Sequence, residues 1–405
     1  MIDELVIHAG DCKTGSSAIQ AALRGRRWTG DVARVAYPTR SAHNDLAGTM
    51  VGEGKPGQAD KILTRLNTRF AKRDGGLGVI SAEHFEYVPP ERLADALARN
   101  MPDLAGSVRV VAYVRPHADR LMSSYSERLK LGRSLDTPMD LYEQFDRNGR
   151  LDYAQRFGAW RGVFGDRFTL RPYTRSTLLD GDVVRDFLEY LFQGAPVTVT
   201  DSADTINPSL SVEDLALLCD IHAHLRAKGP VAGRAATMMG RHLAGLFPPD
   251  PAVPRTKLKI DRALAARLQD RYATDAAALD AAFFDGTPIS DALARAGDGA
   301  LEAPQDMRAE TWFSPETLRY ARGFAEAMAM TIEREPRWAA RAARPPELRP
   351  KASAQGKTEG KAGGKTAGKN KNKGGKAKGG KAGGPGKTGG KKTAGKTAGK
   401  PESAS

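Results

Sequence analysis

The first twenty-five residues constrain this chain most. Leu5 to His8 is a short apolar run, Gly10 and Gly15 follow at once, and Ile19 to Leu23 reads as helix. A strand, a glycine loop and a helix in immediate succession open an α/β pattern. The pattern recurs. LGVIS at 77–81 reads as a second buried strand, and a helical stretch follows at 92–100 behind Pro89 and Pro90. VRVVAYV at 108–114 is almost wholly apolar and rich in Val, as a strand covered on both faces must be. An amphipathic helix over 117–130 follows it, and a strand near 167–170 and a helix near 182–192 repeat the order. Strands alternating with helices predict a three-layer fold around a parallel sheet with right-handed crossovers.

From about residue 209 the strand signals fade. Residues 211–225, 260–284 and 315–333 have helical period, and Ser211 with Asp214 three places on suggests a capping box. The expected organisation is one α/β domain over 1–345. Its cofactor-binding core covers about 1–205, with a helical acceptor-side flank over 206–345. Residues 346–405 form a tail of another kind. After residue 350 come 15 Lys, 16 Gly, 2 Glu and no aromatic residue, so this segment holds +13 of the net charge of +14. Such a sequence cannot bury enough surface to offset its ordering entropy, and disorder is expected. The body is therefore near neutral, and the global charge is no sign of a basic binding fold. Lysines without interleaved aromatics offer nonspecific, salt-sensitive attraction to polyanions and no base readout. Cys12 and Cys219 are the only cysteines, which excludes a disulfide scaffold.

The segment His8-Ala9-Gly10-Asp11-Cys12-Lys13-Thr14-Gly15-Ser16-Ser17 has the context of a phosphate cradle. Glycines let backbone approach an anion, and free N–H groups at a helix start point towards it. The Gly10-x4-Gly15 spacing is that of a nucleotide-triphosphate loop, but Ser16 stands where that loop needs Lys. The lysine is displaced to Lys13, and the third strand ends in Arg115 rather than in a magnesium-binding Asp. The loop reads as built for a phosphate without a metal. Cys12 reads as a small residue tolerated in the loop, and His8 as a structural hydrogen-bonder.

Lys13-Thr14-Gly15-Ser16-Ser17 resembles the 5′-phosphosulfate loop of sulfotransferases that use 3′-phosphoadenosine 5′-phosphosulfate (PAPS). Arg115 after a strand, with Ser123 eight residues later on the next helix, resembles the same family's 3′-phosphate motif. The likeness extends over roughly residues 1–205 and looks closest to bacterial members with a helical C-terminal part. There are departures. Pro116 comes one place early, His117 takes the usual proline position, and Asp11-Cys12 replaces an aromatic or His-bearing pair. The late basic clamp has only weak candidates in Arg226, Lys228, Gly229 and Lys259.

The resemblance implies PAPS as donor, no metal, and a hydroxyl or amine of a glycan, lipid-linked sugar or small metabolite as acceptor. It assigns the cofactor to Lys13, Thr14, Gly15, Ser16, Ser17, Arg115 and Ser123, with Lys13 also serving catalysis as a point charge. The catalytic base is expected at Glu83, with His84 as alternative. His43 is a third option and a candidate lining residue of the acceptor pocket. On a continuing strand Ser81 and Glu83 would share a face and His84 would point away. Tyr173 and Arg175 also match the family's pattern. Two other readings compete: a nucleotide kinase, which would require magnesium, and a degenerate domain that binds polyanions through its tail. An acidic N-terminus with Asp3 and Glu4 and a short apolar run are unlike a signal peptide, so a cytoplasmic setting is expected, with peripheral contact at the inner membrane face open to the tail.

Overall fold

Alternation within the apolar strands decides the architecture. The computed structural model describes residues 1–39, 41–51, 57–133, 136–200, 210–227, 229, 237, 240 and 255–335. The expected tail, 346–405, lies outside the described residues. Glu4–His8 (β1), Val35–Ala36 (β3), Leu77–Ser81 (β4), Arg109–Val114 (β5) and Phe168–Pro172 (β6) form one parallel sheet in the order β3-β4-β1-β5-β6. Trp28–Thr29 (β2) pairs separately with Thr198–Val199 (β7), antiparallel.

Successive strand residues point to opposite faces, and here both faces are covered. Leu5, Ile7, Ile80, Val110, Ala112 and Val114 enter one core. Its helices are Gln58–Ala71 (α3), Pro90–Asn100 (α4), His117–Lys130 (α6), Pro138–Arg147 (α7) and Tyr153–Phe164 (α8). Val6, Val79, Val111 and Tyr113 face the other way, onto Ser16–Gly25 (α1) and Val183–Leu191 (α9). The result is the expected three-layer α/β fold. The short helices Asn44–Gly48 (α2) and Pro102–Ala105 (α5) complete this part.

The helical flank consists of Val212–Ala227 (α10), Arg262–Phe283 (α11), Pro288–Ala294 (α12) and Pro315–Arg334 (α13). The capping box before α10 is present. The Ser211 hydroxyl accepts from the Asp214 N–H at 3.1 Å, and the Asp214 carboxylate accepts from the Ser211 N–H at 3.0 Å. Leu264, Leu268 and Tyr272 of α11 share the core that holds Leu5 and Ile7.

Helices α3, α7 and α8 were not expected. For α7 a signal exists: Thr137 and Asp140 cap each other across Pro138 at the first helical position. Helix α8 has no cap from its own N-cap side chain, Asp152, and carries Gly158 and Gly162 in its interior, although Tyr153, Phe157, Trp160 and Phe164 fall on one buried stripe.

Chain order β1, β3, β4 on one side and then β5, β6 on the other makes β1 the point where the sheet reverses direction. Open α/β sheets bind ligands in the crevice beyond the strand ends at such a point. The β1–α1 loop occupies it. On the α9 face, Phe187 is 1% exposed and packs 5.5 Å from the His8 ring. Truncating it by Phe187→Ala should cost about 3–5 kcal/mol, read from the midpoint of urea unfolding with the slope unchanged.

Candidate functional site: the loop after the first strand

The loop continues strand pairing past the end of β1. The Ala9 N–H donates to the Val111 carbonyl at 2.8 Å and the Tyr113 N–H to the Gly10 carbonyl at 2.8 Å, while the Asp11 N–H donates to the Tyr113 carbonyl at 3.2 Å. Two glycines are required here. Gly10 has φ of 91°, and a Cβ on it would lie 2.8 Å from the Glu83 carbonyl oxygen. Gly15 has φ of 77°, and its Cβ would meet Val183 at 2.7 Å. Gly15 is also the N-cap of α1, and no side chain caps the helix's first turn. The helix dipole adds partial positive charge at that point.

The loop's side chains divide. The buried Thr14 hydroxyl donates to the Asp11 carbonyl at 2.6 Å, and Ser16, also buried, donates to the same oxygen at 3.4 Å. Ser17 is exposed. Thr14 and Ser16 therefore brace the loop with their hydroxyls and can offer a ligand only backbone N–H. Lys13 has a left-handed φ of 67°, and its ammonium lies 3.5 Å from the Glu127 carboxylate on α6.

Arg115, directly after β5, reaches the loop: its Nη1 donates to the Lys13 carbonyl at 3.1 Å, and its guanidinium lies 5.5 Å from the Tyr173 ring centre. Pro116 is the N-cap of α6, directly before its first helical residue, His117. Ser123 is half-buried on α6, one turn before Glu127, the partner of Lys13. Arg115 is held from below by Tyr153, whose hydroxyl donates to the Arg115 carbonyl at 2.9 Å. Arg175 is exposed. Arg226 ends α10 and Lys259 is exposed, while Lys228 lies outside the described residues.

The strand-face argument for Glu83 needs correction. Strand β4 stops at Ser81, and Glu83 opens a short 3₁₀ turn, Glu83–Tyr87, so the two-residue alternation does not reach it. Glu83 and His84 lie in one turn, with Oε1 and Nε2 3.8 Å apart, and both are half-buried. Gly10's close approach nevertheless sets Glu83 against the loop.

Ser81 turns inward instead. It is fully buried, lies 2.8 Å from His8 Nδ1 and accepts from Gln20 at 3.1 Å. His8 is thus the structural hydrogen-bonder that was expected. His43 is 3% exposed, and its Nδ1 accepts from the Ser81 N–H at 3.2 Å, which places the ring proton on Nε2.

A buried ionic network supports the loop from the α6–α8 side, and no spacing in the sequence foretells it. Arg120 Nη2 donates to both carboxylate oxygens of Glu86, at 2.9 and 3.0 Å, and Arg156 reaches Asp11 at 3.1 Å and Glu86 at 3.6 Å. Glu86 also accepts from the Cys12 N–H at 3.1 Å. Burial pushes the Asp11 carboxyl well up, against the pull of Arg156. Burial would raise Glu86 too, but Arg120 and Arg156 outweigh it and hold that carboxylate below its ordinary range. The Cys12 thiol is pushed up by burial and by the charge of Glu86, so it is no activated nucleophile. Among the described residues, no three His, Cys, Asp or Glu side chains are grouped to hold a metal.

Comparison with solved structures matches a sulfotransferase from Alicyclobacillus acidocaldarius at 15% identity, covering 73% of this chain and 100% of that one, with a TM-score of 0.38. No family model matches, and no curated protein matches.

Two buried histidines make the fold acid-sensitive. Burial lowers His8 to about 3 and His43 to about 4. A depressed histidine binds its proton in the unfolded chain first. Its contribution is therefore whole above the unfolded value near 6.5 and is lost as pH falls towards the folded value. Between pH 7.5 and 5, each should remove roughly 2 kcal/mol. Unfolding free energy of His43→Gln should fall less steeply over that range than that of the wild type.

Proposed function

We propose that this protein is a sulfotransferase that moves a sulfuryl group from PAPS to a hydroxyl or amine of its acceptor. The observation that carries this reading is the bond from the Arg115 guanidinium to the Lys13 carbonyl, which joins two motifs 102 residues apart. It does so beside a helix start left uncapped by Gly15. An uncapped N-terminus, a lysine and an always-charged arginine are what a molecule with two separate phosphate-type groups needs.

The residues fit that donor. Gly10 and Gly15 give the loop its left-handed turns and its close packing on the Glu83 backbone and on Val183, where a Cβ would collide. The N–H groups of Thr14 to Ser17, the Ser17 hydroxyl and the Lys13 ammonium would hold the 5′-phosphosulfate, and Arg115 with Ser123 the 3′-phosphate. When bound, PAPS supplies the activated sulfuryl group. Lys13 first has to leave Glu127, 3.5 Å away, to face the anion. Its charge then stabilises negative charge on the bridging oxygen. Glu83, the first carboxylate beyond β4 and in backbone contact with Gly10, is the base that takes the acceptor proton. His84 in the same turn is positioned to relay or replace it.

Calorimetric titration with adenosine 3′,5′-bisphosphate in EDTA tests the donor site. Micromolar binding is expected. Lys13→Ala and Arg115→Ala should each weaken it by about tenfold or more, since a hydrogen bond to a charged group contributes about 1.5–3 kcal/mol. Glu127→Gln, which releases Lys13, should tighten it up to about fivefold, the range of a partly exposed ion pair. Binding of ATP with magnesium alone would overturn the reading. With an acceptor in hand, Glu83→Gln should lower kcat by about 10²–10⁴ with bisphosphate affinity unchanged.

A further inference from the structure

Beside the Glu83–Tyr87 turn stand two arginines that the buried network leaves with charge to spare. Arg150 donates from Nη1 to the Tyr87 hydroxyl at 2.6 Å, and its guanidinium lies 4.4 Å from the Tyr87 ring centre. Arg150 and Arg128 share the Phe145 ring, at 5.4 and 5.6 Å from its centre. Burial and the nearby charge of Arg150 both lower the Arg128 pKa, as expected of like charges held together.

The nearest carboxylate to Arg150 is committed elsewhere. Glu86 lies 3.8 Å from Arg150, but both its oxygens already accept from Arg120 Nη2 and it faces the Arg156 guanidinium at 3.6 Å. Arg128 donates to the neutral amide oxygen of Gln144. The Arg150 side chain keeps 25% of its surface open, and Tyr87 is 37% exposed. Asp136 also acts on Arg128 through its charge, and two guanidinium groups, an open aromatic ring and a phenol meet here at the surface.

This patch lies next to the proposed chemistry. The Tyr87 hydroxyl is 3.6 Å from Cys12 Sγ in the loop, and its ring is 5.9 Å from the ring of His84, the neighbour of Glu83. We propose that Arg128 and Arg150 form an oxyanion subsite for the acceptor, so that the molecule sulfated carries a carboxylate or phosphate group as well as the hydroxyl it offers to Glu83. This rests on the reading of Glu83 as the base. Arginine forks match both kinds of oxyanion, and Tyr87 offers a face for the body of the acceptor.

The test uses the full-length chain saturated with adenosine 3′,5′-bisphosphate, titrated with three probes: 4-nitrophenyl glucoside, the matching glucuronide and the matching 6-phosphate. Either anionic probe should bind about tenfold tighter than the neutral one. A preference for the glucuronide identifies a carboxylate acceptor, and a preference for the 6-phosphate a phosphorylated one. Arg128→Gln with Arg150→Gln should erase the preference while leaving the bisphosphate affinity within about twofold. Equal affinities for all three, no binding of any of them, or a preference that survives the double substitution would overturn the proposal. If the bisphosphate fails to bind while the anion preference stands, the donor reading falls and the oxyanion subsite remains.

Discussion

Everything at the proposed site depends on four buried charges. Arg120 and Arg156 from α6 and α8 grip Asp11 in the loop and Glu86 in the turn after β4. Such a network adds little net stability, because desolvating the ions costs about as much as their attraction returns. Its effect is on geometry. Loss of one member would leave an uncompensated charge beside Asp11, Glu86 or Arg120, whose side chains are 1–3% exposed, which favours one arrangement of loop and turn. The same carboxylate that receives Arg120 also receives the Cys12 N–H, which fixes the residue before Lys13.

A rigid loop with a soft lysine follows from this. The backbone is over-determined by pairing with β5, by the inward hydroxyls of Thr14 and Ser16, and by Arg115 on the Lys13 carbonyl. The Lys13 side chain alone has a replaceable partner, Glu127, in an ion pair about 29% exposed on each side. An arriving anion would have one partly exposed ion pair to displace, beside a helix start that no side chain caps.

Support also reaches the site from the helical flank. Asp275 of α11 accepts from the Tyr153 and Ala154 N–H groups at 2.9 and 3.0 Å, capping α8, and lies 3.3 Å from His117. The His117 ring sits 4.4 Å from Tyr153 and 4.9 Å from Tyr272. Tyr153 in turn holds the Arg115 carbonyl. The helices that follow the α/β core thus brace the strand end from which Arg115 projects.

Local sequence determined what short-range physics can determine. The strand at 77–81, the helix at 117–130, the capping box at Ser211 and the glycine loop all lie within a few residues of the features that produce them, and the structure has each. Glu83's place was misjudged because nothing local marks the end of β4; the strand stops at Ser81 and the chain turns against the Gly10 backbone. The ionic network was invisible for a different reason. Asp11 meets Arg156 across 145 residues and Glu86 meets Arg120 across 34, and no period in the sequence links them. Burial is what gives those charges their meaning, and burial belongs to the packed core. The sequence alone determined the sheet, the loop and the residue types beside it; only tertiary structure decided which charges are spent on one another, Arg120 and Arg156 on Asp11 and Glu86.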